Sequence, residues 1–160
     1  DPMAMLPFCG YNMGDYFAHW LAQGDRAGVK LPRIFHVNWF RQDAAGKFMW
    51  PGFGQNLRVL QWIVERCRGT AKAVETPIGF IPAAGGIDLA GLTVSRGMMN
   101  DLLAVDPEAW AAELEEQEAF FGSLGGRLPE AVRAEAAALE KRLGPVAVQG
   151  NGAPAAKAAG

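Results

Sequence analysis

The chain has 160 residues, half of them hydrophobic and a fifth charged, with a net charge of −2, the composition of an ordinary globular protein. No polybasic run exists to neutralise phosphates, so nucleic-acid binding lacks electrostatic support, and the apolar runs fall short of the ~20 residues of a membrane-spanning helix. Cys9 and Cys67 lie far apart without a C-x-x-C motif, which points to two reduced thiols rather than a disulfide framework.

Residues 10–21 carry Met13, Tyr16, Phe17, Trp20 and Leu21 at helical spacing, and Gly24 with the loop to Pro32 ends the pattern. All five side chains read as core. Residues 33–40 alternate, with Phe35, Val37 and Trp39 on one face and Ile34, His36, Asn38 and Phe40 on the other, the signature of a strand with a core face and a site face. A turn over 43–46, DAAG, returns residues 47–50 as a second short strand, which Pro51 and Gly52 end. After Gly54, the residues Leu57, Leu60, Ile63, Val64 and Cys67 predict an inward helical stripe, with Gln55 or Asn56 near its N-terminus and Gly69 past its end.

Residues 76–82 read as a short extended segment and 96–103 as a small helix. Asp106-Pro107-Glu108 starts a helix, with Asp as cap, Pro in the first turn and Glu at the positive dipole end. Its inner stripe is Trp110, Leu114, Gln117 and Phe121, while Glu113, Glu115, Glu116 and Glu118 form a solvated face rather than a catalytic pair. A last helix from Pro129 turns Val132, Ala136, Leu139 and Leu143 inward and stops at Gly144-Pro145. Beyond 143 the Gly-, Ala- and Pro-rich stretch lacks aromatics and periodicity, so residues 144–160 are expected to be a disordered tail. The pattern is α+β: short strands or a hairpin with about five packed helices.

Chemistry concentrates in residues 34–56, IFHVNWFRQDAAGKFMWPGFGQN. Phe40, Phe48 and Phe53, interrupted by glycines and a proline, suit a slot that grips a flat ring. Asn56 offers a donor and an acceptor to a ring edge, or else only caps the following helix. Trp39, Trp50 and Trp62 read as core, and His19 and His36 as structural. The histidines have no carboxylate at metal-sharing spacing, and the chain has no G-x-x-x-x-G-K-[S/T] phosphate loop.

The words PFCGYN, NWF, KFMWPGFGQN and ETPIGFIP, in that order, resemble the C-terminal region of the GTP-dependent phosphoenolpyruvate carboxykinases over residues 1–143. The resemblance implies the C-terminal, guanine-binding part of that family's nucleotide-binding domain. It implies that Phe40, Phe48 and Phe53 enclose the guanine, that Phe53, Gly54, Gln55 and Asn56 close the site, and that Asn56 reads the base edge. Gln55 stands where a Glu is common. Phe8 matches an aromatic beside the small-molecule substrate, although Leu6 and Cys9 depart from the commoner Arg and Phe.

The implied reaction converts oxaloacetate and GTP to phosphoenolpyruvate, GDP and carbon dioxide in gluconeogenesis, in a cytoplasmic, monomeric enzyme that uses Mn²⁺ and Mg²⁺. The chain starts inside a motif at Asp1, which predicts a C-terminal fragment, inactive alone, holding no metal and no catalytic residue, with GTP and the remainder of the carboxykinase chain as its partners. A stand-alone purine-binding module and a structural domain whose slot is filled by its own side chains are the alternatives.

Overall fold

The computed structural model describes residues 2–144; the tail expected over 144–160 lies, apart from Gly144, outside the described residues. A 3-10 helix, Pro2–Phe8, leads into helix α1, Met13–Ala22. An irregular stretch then runs to α2, Asn56–Cys67, followed by the hairpin of β1, Ala73–Thr76, and β2, Gly79–Pro82. Helices α3, Arg96–Leu103, α4, Pro107–Ser123, and α5, Glu130–Leu143, complete the described residues. The sheet is antiparallel, pairing Ala73 with Pro82 and Thr76 with Gly79 across a two-residue turn. The extended segment predicted at 76–82 is therefore a hairpin that begins three residues earlier.

Two small cores organise these elements. In the first, Met13 and Phe17 of α1 pack against Leu124 and Leu128 at the junction of α4 and α5. Asn12 fixes this contact from both sides: its Oδ1 accepts from the Gly14 backbone N–H at 2.8 Å, capping α1, and its Nδ2 donates to the Leu124 carbonyl at 3.3 Å. Gly14 is needed because the Arg127 carbonyl oxygen would lie 2.3 Å from a Cβ there. An ion pair between Arg127 and Asp15 closes the same junction.

In the second core Trp50, Trp62 and Ile87 are buried, with Phe35, Trp39, Val59, Ile63 and Leu102 packed around them. Both tryptophan N–H groups are satisfied, as buried indoles require: Trp62 Nε1 donates to the Lys72 carbonyl at 3.3 Å and Trp50 Nε1 to Asn56 Oδ1 at 2.9 Å.

Four expectations are corrected, the first in α1, where Trp20 and Leu21, read as core, are exposed. Residues 33–40 and 47–50 form no strands; Phe48 instead forms an isolated antiparallel bridge with Gln42, beyond the first segment. The alternation nevertheless holds, with Phe35, Val37 and Trp39 half-buried and Ile34, His36, Asn38 and Phe40 exposed. An extended segment follows its side-chain pattern even where no neighbour supplies the backbone partners that define a strand. Four of the five residues of the stripe expected to face inward from α2 face outward: Leu57, Leu60, Val64 and Cys67 are exposed, Ile63 alone packs on the second core, and Trp62 is the buried residue. His36, read as a packed structural histidine, is also exposed.

Candidate functional site

The segment that joins α1 to α2 builds the site in three steps. Asp43 folds the first turn, its Oδ1 accepting from the backbone N–H groups of Ala45 and Lys47 at 2.9 and 3.0 Å. The flanking backbone pairs Met49 N–H with the Arg41 carbonyl at 3.0 Å. This closes the hairpin-like loop and brings Phe40 and Phe48 together, ring centroids 6.0 Å apart and 64° between planes, in edge-to-face contact. Arg41, next to Phe40, donates from Nη1 to the Leu102 carbonyl at 2.9 Å and so ties the loop to the C-terminal end of α3.

The second step is Gly52. At φ 86° and ψ −148° it occupies a region essentially reserved for glycine. The chain reverses there from Trp50, 5% exposed, to Phe53, 97% exposed, within three residues. Phe40 and Phe48 are also outward, at 70% and 53%. Among the described residues Phe53 pairs with neither ring, so its faces stay open. A slot filled by the chain's own side chains does not match this exposure.

The third step is the start of α2. Phe53–Gln55 form one 3-10 turn, and Asn56 is the first residue of the α-helix. Asn56 is not the N-cap of α2: that position belongs to Gln55, which makes no capping side-chain bond. Asn56 instead accepts the Trp50 indole N–H. Gln55 Oε1 accepts from Arg58 Nε at 2.8 Å, while Arg58 donates to the carbonyls of Asp88 and Ala90, both at 2.9 Å, and pairs with the Asp88 carboxylate at 3.3 Å. Gly54 has no atom within 4 Å of where a Cβ would stand. Phe8 ends the leading 3-10 helix and is exposed.

The segment's match to the family of phosphoenolpyruvate carboxykinase C-terminal P-loop domains extends well beyond these residues, over 1–142. The chain belongs to the GTP-dependent phosphoenolpyruvate carboxykinase family. It is 54% identical over 145 residues to phosphoenolpyruvate carboxykinase [GTP] of Neocallimastix frontalis, covering 89% of this chain and 24% of the relative. Identity to the enzyme of the same name from Arthrobacter sp. (strain FB24) is 52% over 144 residues, with the same two coverages. The Thermoplasma volcanium carboxykinase is 49% identical over 144 residues, 90% of this chain and 24% of that protein. The chain thus spans about a quarter of the curated carboxykinases it matches.

Carboxykinase chemistry implies divalent metals, and the donors present here do not fit them: among the described residues no group of three His, Cys, Asp or Glu side chains could hold an ion. Glu113, Glu115, Glu116 and Glu118 are exposed on α4, as their spacing predicted. No described helix is long and apolar enough to cross a membrane. A larger cleft of about 1210 Å³, lined by Phe17, Trp20, Leu31, Trp110, Phe121 and Leu139 among others, lies between α1, α4 and α5. It is mainly apolar and contains none of the residues from Phe40 to Asn56.

Two features of the site escape sequence reasoning. Trp50 reads as core, and its N–H contact with Asn56 depends on the Gly52 reversal, which spacing does not reveal. The Arg58 bonds to Asp88 and Ala90 cross thirty residues of chain, and no local pattern signals them.

Proposed function

We propose that this chain is the guanine-holding, C-terminal part of a cytoplasmic carboxykinase that converts oxaloacetate and GTP to phosphoenolpyruvate, GDP and carbon dioxide in gluconeogenesis. Residues 1–143 form the guanine-binding part, and metal and phosphate ligands belong to the rest of the enzyme. The observation that carries the reading is the outward display of Phe40, Phe48 and Phe53 in a chain that buries Trp50 and Trp62 beside them. Exposed aromatic faces cost free energy in water, and a planar ligand offsets that cost by stacking.

In this reading Phe40, Phe48 and Phe53 hold the ring without regard to its substituents. Asn56 reads its edge, and Gly54 and Gln55 shape the approach. Gln55 serves here without the charge of the commoner Glu, because its role toward Arg58 needs only an acceptor oxygen. Phe8 stands beside the small-molecule substrate. The division of labour makes stacking and edge recognition separable.

The test uses the full-length enzyme that contains this chain. Phe53→Ala is expected to weaken GTP and ITP alike, by roughly the 1–3 kcal/mol of one stacking contact. Asn56→Ala is expected to narrow the preference for GTP over ATP, because a site built to hydrogen-bond one ligand discriminates through the groups a wrong ligand strands. The measurement is kcat/KM for the three nucleotides. An Asn56→Ala enzyme with its full GTP-to-ATP ratio, beside a Phe53→Ala enzyme that has lost it, would reverse the two roles.

A further inference from the structure

We propose that Trp50 is a specificity-positioning residue: its indole N–H fixes the orientation of the Asn56 amide, so that the site reads 6-oxopurines and rejects 6-aminopurines. This rests on the guanine-binding reading above and goes beyond it, since it concerns how one amide tells two purines apart.

The difficulty is that a free amide cannot. A side-chain carboxamide presents an acceptor and a donor side by side. Guanine offers an N1–H donor beside the O6 acceptor. Adenine offers the N1 acceptor beside the N6 amino donor. Each pattern is complementary to one of the two orientations related by a half-turn of the amide about its terminal torsion, so an unrestrained Asn accepts either base equally well. Specificity for one purine requires something that forbids the half-turn.

Trp50 does this by chemistry alone. An indole Nε1–H donates and never accepts, so the Asn56 atom 2.9 Å from it must be the carbonyl oxygen. Turning the amide over would set two N–H groups against each other and leave a buried donor unpaired. The restraint is stiff because the indole itself cannot move aside: Trp50 is packed against Trp62 and Ile87 in the second core. Asn56 is held in turn by its place in the first turn of α2, and Gly52 sets the reversal that brings the two side chains together. With Oδ1 bound on one side, Nδ2–H is directed as a donor to the oxygen at purine position 6, and the second lone pair of Oδ1 remains for N1–H.

The prediction differs from that of a merely structural tryptophan. In the full-length enzyme, Trp50→Phe keeps the ring in the core and removes only the N–H. The amide can then turn over, so ATP is expected to improve in absolute terms while GTP declines, closing the GTP-to-ATP ratio by about tenfold, the equivalent of one hydrogen bond. A structural loss would lower both nucleotides together and leave the ratio intact. Dissociation constants for GDP, IDP and ADP by calorimetry give the same comparison without turnover. IDP should follow GDP, since both carry the 6-oxo group.

Asn56→Asp supplies a second arm that leaves Trp50 untouched. A carboxylate still accepts from the indole but has no donor for O6, so GDP and IDP should weaken more than ADP. The two arms separate the proposals. If Asn56→Ala narrows the ratio and Trp50→Phe preserves it, Trp50 does not orient the amide and this inference fails while the guanine site stands. If Asn56→Ala itself preserves the ratio, the site reading fails first. Should Trp50→Phe not fold, an Asn56→Asp enzyme that weakens GDP and ADP equally overturns the inference by itself.

Discussion

Gly14 and Gly122 both lie inside helices, yet their surroundings assign them opposite tolerances. Alanine is favoured over glycine in a helix by about 0.8–1 kcal/mol. At Gly122 nothing lies within 4 Å of a Cβ, so that preference is unopposed. At Gly14 the Arg127 carbonyl oxygen and carbon would lie 2.3 and 2.7 Å away, and both are backbone atoms that cannot swing aside. Overpacking of this kind costs roughly 1–3 kcal/mol, which exceeds the propensity gain. Gly14→Ala is therefore expected to lower the thermal inactivation temperature of the full-length enzyme and Gly122→Ala to hold or raise it. A Gly14→Ala enzyme as stable as its parent would mean that the contact between α1 and the α4–α5 junction is looser than described.

Among the elements, the helices were the most legible. Asp106 caps α4 through a bond from the Glu108 N–H at 3.0 Å, Pro107 takes the first position, and Gly144 follows α5, all as the local chemistry of those residues dictates. The segment around Phe40 was legible in its side chains and illegible in its backbone: alternation tells which residues face inward, but a strand exists only when another segment pairs with it. The α2 stripe misled for a related reason. Leu57, Leu60 and Val64 have the spacing of a buried face, and periodicity reports that a face is apolar without reporting what covers it. The outward display of Phe40, Phe48 and Phe53 was legible through the density of loop aromatics and glycines; the Trp50 bond was not, because it depends on a reversal at one glycine. Asn12 illustrates how an element end can couple to tertiary packing. Asn12→Ala removes both the α1 cap and the bond to Leu124, about 1 kcal/mol for each, whereas Asn12→Ser should restore the cap alone. An intermediate stability for Asn12→Ser in denaturant unfolding of the full-length enzyme is the expected result; equality with Asn12→Ala would remove the cap from the account.

Across the whole molecule, only eight hydrophobic side chains are buried among the described residues, seven of them in two separate clusters and Val94 outside both, while Phe8, Ile34, Phe53 and Leu57 are each exposed by 70% or more. Small, divided cores leave little surplus over the entropy of ordering the chain. The 160 residues alone are therefore expected to bind a hydrophobic dye such as ANS and to show no carboxykinase activity, since they contain neither a phosphate loop nor a metal-competent cluster among the described residues. Phosphoenolpyruvate formed from oxaloacetate by the purified chain, dependent on GTP and Mn²⁺, would overturn this.

Arg58 has a consequence for coupling. By grasping Gln55, the Asp88 carbonyl and the Ala90 carbonyl at once, it welds the start of α2 to a loop thirty residues away. Opening either segment must first break bonds from the guanidinium, which couples the two. The residue beside Gln55 is Asn56. In the reading proposed above, in which Asn56 meets a base edge, the steadiness of that amide rests in part on a clasp whose other end lies in a loop about thirty residues away.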